Sequence, residues 1–233
     1  MTTTGALALV LVVLIGIQVW ERRGPRRAQL VTGPVAALVL LLIGRMAGLT
    51  WDQLGLSRAD VAHGALYGAV LAAGVAVVYV LLVAIPATRV AFRDTRYQVG
   101  TGPALRAAVV TIPLSTVVVE ECAFRGVLWG LLARDAGVMT ATVVSSLLFG
   151  FWHVLPAVDL ACSNSVLRGE RTAVRSRVLL TVLATVVFTA VAGILFAELR
   201  RRTGSLLAPI GVHWAVNGMG VLAAARVWAI SSR

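Results

Sequence analysis

The sequence predicts an all-α protein, a polytopic transmembrane helical bundle of about seven spans, with six to eight compatible with its apolar runs. Three observations predict it. Hydrophobic residues make up 59% of the 233 and charged residues only 13%, which is more apolar surface than a soluble core of this length hides. The apolar residues fall into runs of roughly the 20 residues that cross a hydrocarbon layer. The basic residues lie in short clusters between those runs, where anionic headgroups and topology account for them. A net charge of +11 in a soluble protein would suggest nucleic acid. No soluble basic domain is left over to bind it, so no nucleic-acid partner is expected.

On this ruler the spans are roughly residues 5–21, 30–49, 63–86, 104–132, 137–156, 178–198 and 204–228. The first follows no basic leader and is followed by ERRGPRR, the pattern of a retained span rather than a cleaved signal. Between the second and third, TWDQLGLSRADVAHG reads as a short interfacial helix, with Trp51 at the interface, Ser57 as its cap and His63 as an interfacial residue. The fourth segment is long enough for a break near Pro113. Cys122 is a small buried filler and Cys162 falls in a loop, so no disulfide is expected. Residues 1–103 form N-terminal spans with the interfacial loop, and 104–233 form the part that carries chemistry, within one integral domain.

Arginines cluster after the first, third and fifth spans: Arg22, Arg23, Arg26 and Arg27; Arg89, Arg93 and Arg96; Arg168, Arg171, Arg175 and Arg177. The positive-inside bias then puts the N-terminus outside and the C-terminus, with Arg233, inside. Arg200, Arg201 and Arg202 fall on the wrong side, which calls for a missed or re-entrant segment or an outvoted rule.

An ionisable side chain at bilayer depth costs about 2.5–3.5 kcal/mol on insertion scales, so each one needs a reason. VVVEECAFRG on the fourth segment holds three. Glu121 and Arg125 are four apart and can neutralise each other. Glu120, about 100° around the helix on the side of Phe124, has no partner on its own segment and needs one from another helix. The fifth segment offers His153, four residues after Phe149, and the seventh offers His213 and Asn217, which share one face. Each taken singly is a hydrogen-bonded core residue as readily as a functional one. Together they form a complementary set. A desolvated carboxylate is a general base for water, neutral imidazoles orient that water or bind a metal, and an amide donates to an oxyanion. A proton or cation carrier would use the same Glu and His residues but gives Asn217 and the Glu121–Arg125 pair less to do. There is no H-E-x-x-H stretch.

These residues resemble the motifs of the CPBP family of intramembrane proteases, which includes the CAAX prenyl endopeptidases and bacterial enzymes linked to bacteriocin processing and self-immunity. Glu-Glu-x-x-x-Arg matches Glu120, Glu121 and Arg125; Phe-x-x-x-His matches Phe149 and His153; His-x-x-x-Asn matches His213 and Asn217. The resemblance covers about residues 105 to 225. It implies a helical fold whose site opens within the membrane, Glu120 as the base, His153 and His213 positioning water, and Asn217 stabilising the oxyanion. The family is often labelled metalloprotease, and Glu120, His153 and His213 would make a zinc set with an open position. A glutamate-dependent hydrolase uses the same residues, and the sequence does not choose between them. The expected partners are the bilayer and a membrane-associated or lipidated peptide or protein. The lysine-free, Ala-rich composition points to a bacterial cytoplasmic membrane. A non-proteolytic membrane scaffold of the same fold is the alternative from another class.

Overall fold

In the computed structural model, which describes residues 1–25, 28–163 and 171–231, the chain is a bundle of helices. Arg26, Arg27, Arg168 and Arg233 lie outside the described residues. The helices are α1 (Thr3–Arg23), α2 (Gln29–Met46), α3 (Val61–Ala84), α4 (a continuous run over 101–136), α5 (138–152), α6 (Val154–Ser163), α7 (Arg171–Thr203) and α8 (Leu207–Ser231). Among the described residues, six helical stretches are long and apolar enough to cross a membrane, and one of them, Thr101–Cys162, contains both the fourth and the fifth expected spans.

The bundle is apolar outside and polar within. Val12, Ile15, Val80, Phe188 and Leu195 are exposed, whereas Glu120, Glu121, Arg125 and His213 are buried. Lipid as solvent explains the first set, and the second must satisfy itself inside the protein. The core joins α1, α2, α4, α5 and α7 through Val10, Leu40, Phe124, Phe149 and Phe196. On the other side α3 packs along α8, where a Cβ on Gly68 would meet the Leu207 carbonyl oxygen at 2.7 Å. Only the small residue there lets the two backbones approach so closely.

Pro113 does not break α4. The helix widens instead into π turns over Ala107–Thr111 and Pro113–Val117, with Ile112 N–H bonding back five residues to Ala107 O. Widening accommodates a ring and a missing donor that would otherwise disrupt the α pattern. A third π turn, Cys122–Leu128, follows directly on the two glutamates. The break comes at Gly137, whose φ of 83° suits glycine, and separates α4 from α5.

Three smaller expectations are corrected. Residues 51–55 form a turn and Arg58–Asp60 a single 3-10 turn rather than an interfacial helix, and Ser57 makes no side-chain cap. Gly55 and Leu56 are held instead by the chain before α8, through Leu206 N–H to Gly55 O at 2.8 Å and a bridge between Leu56 and Ser205. Cys162 lies in α6, not in a loop. No missed segment separates α7 from α8, which are joined by residues 204–206. Arg200, 4% exposed, donates to the carbonyls of Asp52 and Gln53 and lies over Trp129, and Arg201 and Arg202 both pair with Glu198. Local partners thus engage all three arginines that conflicted with the positive-inside bias. Trp51 is exposed beneath the Arg45 guanidinium, and His63 is exposed and edge-on to Tyr67, away from the polar interior.

Candidate active site

The polar interior is built around Glu121. Its Oε1 accepts from Arg125 Nη1 at 3.1 Å and from His213 Nδ1 at 2.7 Å, with Glu121 and Arg125 side chains 0% and 1% exposed. The Glu121–Arg125 pair expected from four-residue spacing is therefore present. The π turn that begins at Cys122 does not separate them. Arg125 is caged by aromatic faces, with its guanidinium 4.0 Å from the Phe149 ring centre and 5.1 Å from that of Phe196. Such faces attract a desolvated cation. They matter here because Arg125 Nη2 and Glu121 Oε2 have no hydrogen-bond partner.

Glu120 finds its partner on another helix, as its isolation on α4 required. Its Oε1 accepts from Trp152 Nε1 at 2.9 Å. Its Oε2 has no hydrogen-bond partner and stands 3.7 Å from His213 Nε2. His213 thus lies between the two glutamates. A carboxylate held by Arg125 accepts rather than donates, so His213 Nδ1 is the donor in that bond, and Nε2 is the nitrogen turned toward Glu120.

His153 sits where α5 ends, its own N–H bonded to Gly150 O. Its Nδ1 lies 2.8 Å from Phe149 O. A carbonyl can only accept, so Nδ1 carries the proton and Nε2 is a free acceptor. The ring packs edge-on against Phe149 at 4.6 Å.

A cavity of about 520 Å³ collects Glu120, Trp152, His153 and Asn217 on one wall. Three expected site residues therefore share an open space. His213 stands behind Glu120, and Glu121 and Arg125 are enclosed deeper still. Asn217, one turn beyond His213 on α8, makes no side-chain hydrogen bond with a described residue, so its amide is available to a ligand.

Sequence reasoning missed Trp152 and Glu21. Trp152 is adjacent to His153, and an indole N–H near an unpartnered carboxylate was the available signal. Glu21, at the end of α1, lines the same cavity, although it had been read only as part of the charged stretch after the first span.

Glu120 Oε2 and His213 Nε2 are about as far apart as two ligands of one zinc ion bound at roughly 2.0–2.2 Å. Among the described residues, however, no three His, Cys, Asp or Glu side chains form a group that could hold a metal ion. The donors present are suited to holding and polarising a water.

A family model described as type II CAAX prenyl endopeptidase Rce1-like matches residues 102–219. That interval contains Glu120, Glu121, Arg125, His153, His213 and Asn217. No curated protein and no solved structure matches the chain.

Removing one member of a buried pair leaves an uncompensated charge, at a cost of about 3–5 kcal/mol. Arg125→Ala is therefore expected to lower the thermal midpoint in detergent well below that of Glu120→Ala. Equal midpoints for the two variants would show that Arg125 does not stabilise the fold.

Proposed function

The chain belongs to the Rce1-like family of type II CAAX prenyl endopeptidases, and on that premise we propose that it hydrolyses a peptide bond of a membrane-associated substrate with a water activated by Glu120. The observation that carries this reading is Glu120, buried, with Oε2 left without a hydrogen-bond partner, in the lining of the cavity that also holds His153 and Asn217.

Water in the cavity donates one hydrogen to Glu120 Oε2 and the other to His153 Nε2. With Glu120 ionised and His153 neutral, both groups accept. The water oxygen attacks the carbonyl carbon as Glu120 takes its proton, and the developing oxyanion accepts from the Asn217 amide. Glu120 then returns the proton to the amine nitrogen as the C–N bond breaks. His213 Nε2, behind Glu120, is a second resting place for that proton, and Glu121 with Arg125 holds the imidazole in place. Trp152 fixes one oxygen of the base and leaves the other without a hydrogen-bond partner.

The substrate class this family membership suggests is a lipidated or membrane-bound peptide, delivered from the bilayer that surrounds the bundle. Bound zinc would supply Lewis acidity and a more acidic water, but Glu120, His153 and His213 do not come together as a three-ligand group among the described residues.

Glu120→Gln, His153→Ala and His213→Ala are each expected to lower cleavage of a peptide library by about 10²–10⁴-fold, the range for loss of a general acid or base, while the protein stays folded by its thermal melt. Parallel loss of fold and activity in all three would make the set structural. A parent protein that cleaves nothing but moves protons in liposomes would be a carrier.

Trp152→Phe keeps the aromatic wall but removes the N–H donor that holds Glu120 Oε1. Turnover is expected to fall, with kcat dropping more than KM changes. An unchanged kcat would remove Trp152 from the positioning of Glu120.

Elemental analysis of protein purified without chelator or affinity-tag metal tests the zinc set. Full cleavage by metal-free protein is the expected result. Near-stoichiometric zinc, lost together with turnover on chelation and restored with it, would replace the metal-free mechanism.

A further inference from the structure

The charge of the catalytic cavity is opposite to that of the chain. In a protein of net charge +11, with 21 arginines, the cavity is lined by three carboxylates, Glu21, Asp94 and Glu120, and by no arginine among its described lining residues. The three differ in what answers their charge. Asp94 is held by Arg96, whose Nη2 lies 2.7 Å from Oδ2. Glu120, 6% exposed, gives Oε1 to Trp152 and leaves Oε2 without a hydrogen-bond partner. Glu21 has no cationic partner among the described residues, since Gln29 donates to its backbone carbonyl rather than to its carboxylate.

The remaining wall suits a cation as well. Tyr79, Phe92 and Tyr97 present aromatic rings to the same space. Tyr79 is held by its hydroxyl on Val216 O at 2.9 Å and packs on Phe92 at 5.8 Å. Tyr97 already takes the guanidinium of Arg96 over its ring at 5.8 Å. Carboxylates with aromatic faces hold an ammonium or guanidinium on an apolar stem, the form of a lysine or arginine side chain.

We infer that the cavity selects substrates carrying a basic residue beside the scissile bond, with Glu21 on the first span as the residue that determines this specificity. The inference rests on the endopeptidase reading and adds the substrate class to it. The low-dielectric walls strengthen the field that an approaching cation feels, so selection acts on capture as well as on the bound complex.

The test compares three labelled peptides that differ at one position next to the cleaved bond, with lysine, norleucine or glutamate. The detergent-solubilised parent is expected to show kcat/KM about tenfold higher for lysine than for norleucine, with glutamate lowest, and the ratio is expected to shrink as salt rises. Glu21→Gln brings the lysine-to-norleucine ratio toward one, and Glu21→Arg inverts the order of lysine and glutamate. Cleavage by the parent without a charge preference, or a preference that Glu21→Gln leaves unchanged, overturns the inference and leaves the endopeptidase reading standing. If the parent cleaves none of the three, that reading fails, and fluorescence anisotropy with the same peptides still decides the charge selection. Tighter lysine binding that Glu21→Arg abolishes upholds it, and equal affinities overturn it.

Discussion

The architecture of the interior depends on a single carboxylate oxygen. Glu121 Oε1 takes both the Arg125 guanidinium and the His213 imidazole, and each obligation recruits another helix. A cation in a membrane interior must be neutralised and covered. Arg125 is neutralised from its own helix and covered by Phe149 of α5 and Phe196 of α7. His213 brings α8 to the same point and in turn faces Glu120. Four helices are thus tied together at one location by the requirement that a buried charge be satisfied. Glu120 is the neighbour of that knot rather than its centre, and one of its oxygens is left without a hydrogen-bond partner.

This division separates two kinds of polar residue that composition alone treats alike. Those facing inward pair with each other, with Glu121 Oε2 and Arg125 Nη2 left over, and those on the cavity wall keep valences for something else. His153 gives one nitrogen to the end of its own helix and keeps the other, and Asn217 keeps its amide. Trp152 belongs to both sides, because it lines the polar cavity and also an apolar groove formed with Leu11, Ile15, Phe124, Phe151 and Leu155. One side chain therefore holds Glu120 and stands between it and the apolar groove.

Much of the bundle was legible because helical spacing and bilayer thickness are strong constraints. Seven apolar runs, the four-residue relation of Glu121 to Arg125 and that of His213 to Asn217 follow from period and length alone. What lay outside reach depended on contacts between distant segments. The preference of His213 Nδ1 for Glu121 over Glu120 depends on how α8 is rotated against α4, which neither helix records by itself. Pro113 signalled a break, but absorption into a π turn depends on the packing around the helix. Arg200 read as a topological charge because its partners, the carbonyls of Asp52 and Gln53, are backbone groups about 150 residues away and so leave no mark in side-chain patterns. Glu21 was hidden among arginines, and only the docking of α1 turns it to the cavity.

That docking has a consequence for how the protein is made. The first span is secured at three levels by residues far down the chain: Thr3 by Arg134, Gln18 by the carbonyl of Trp152, and Arg22 by Asp159. Each partner is more than 130 positions later. α1 therefore cannot complete these contacts until α5 and α6 have been made. Such separations slow assembly. Glu21 takes its place in the cavity lining through this same docking, so the seating of an α1 carboxylate beside Glu120 waits on contacts made by residues more than 130 positions further along the chain.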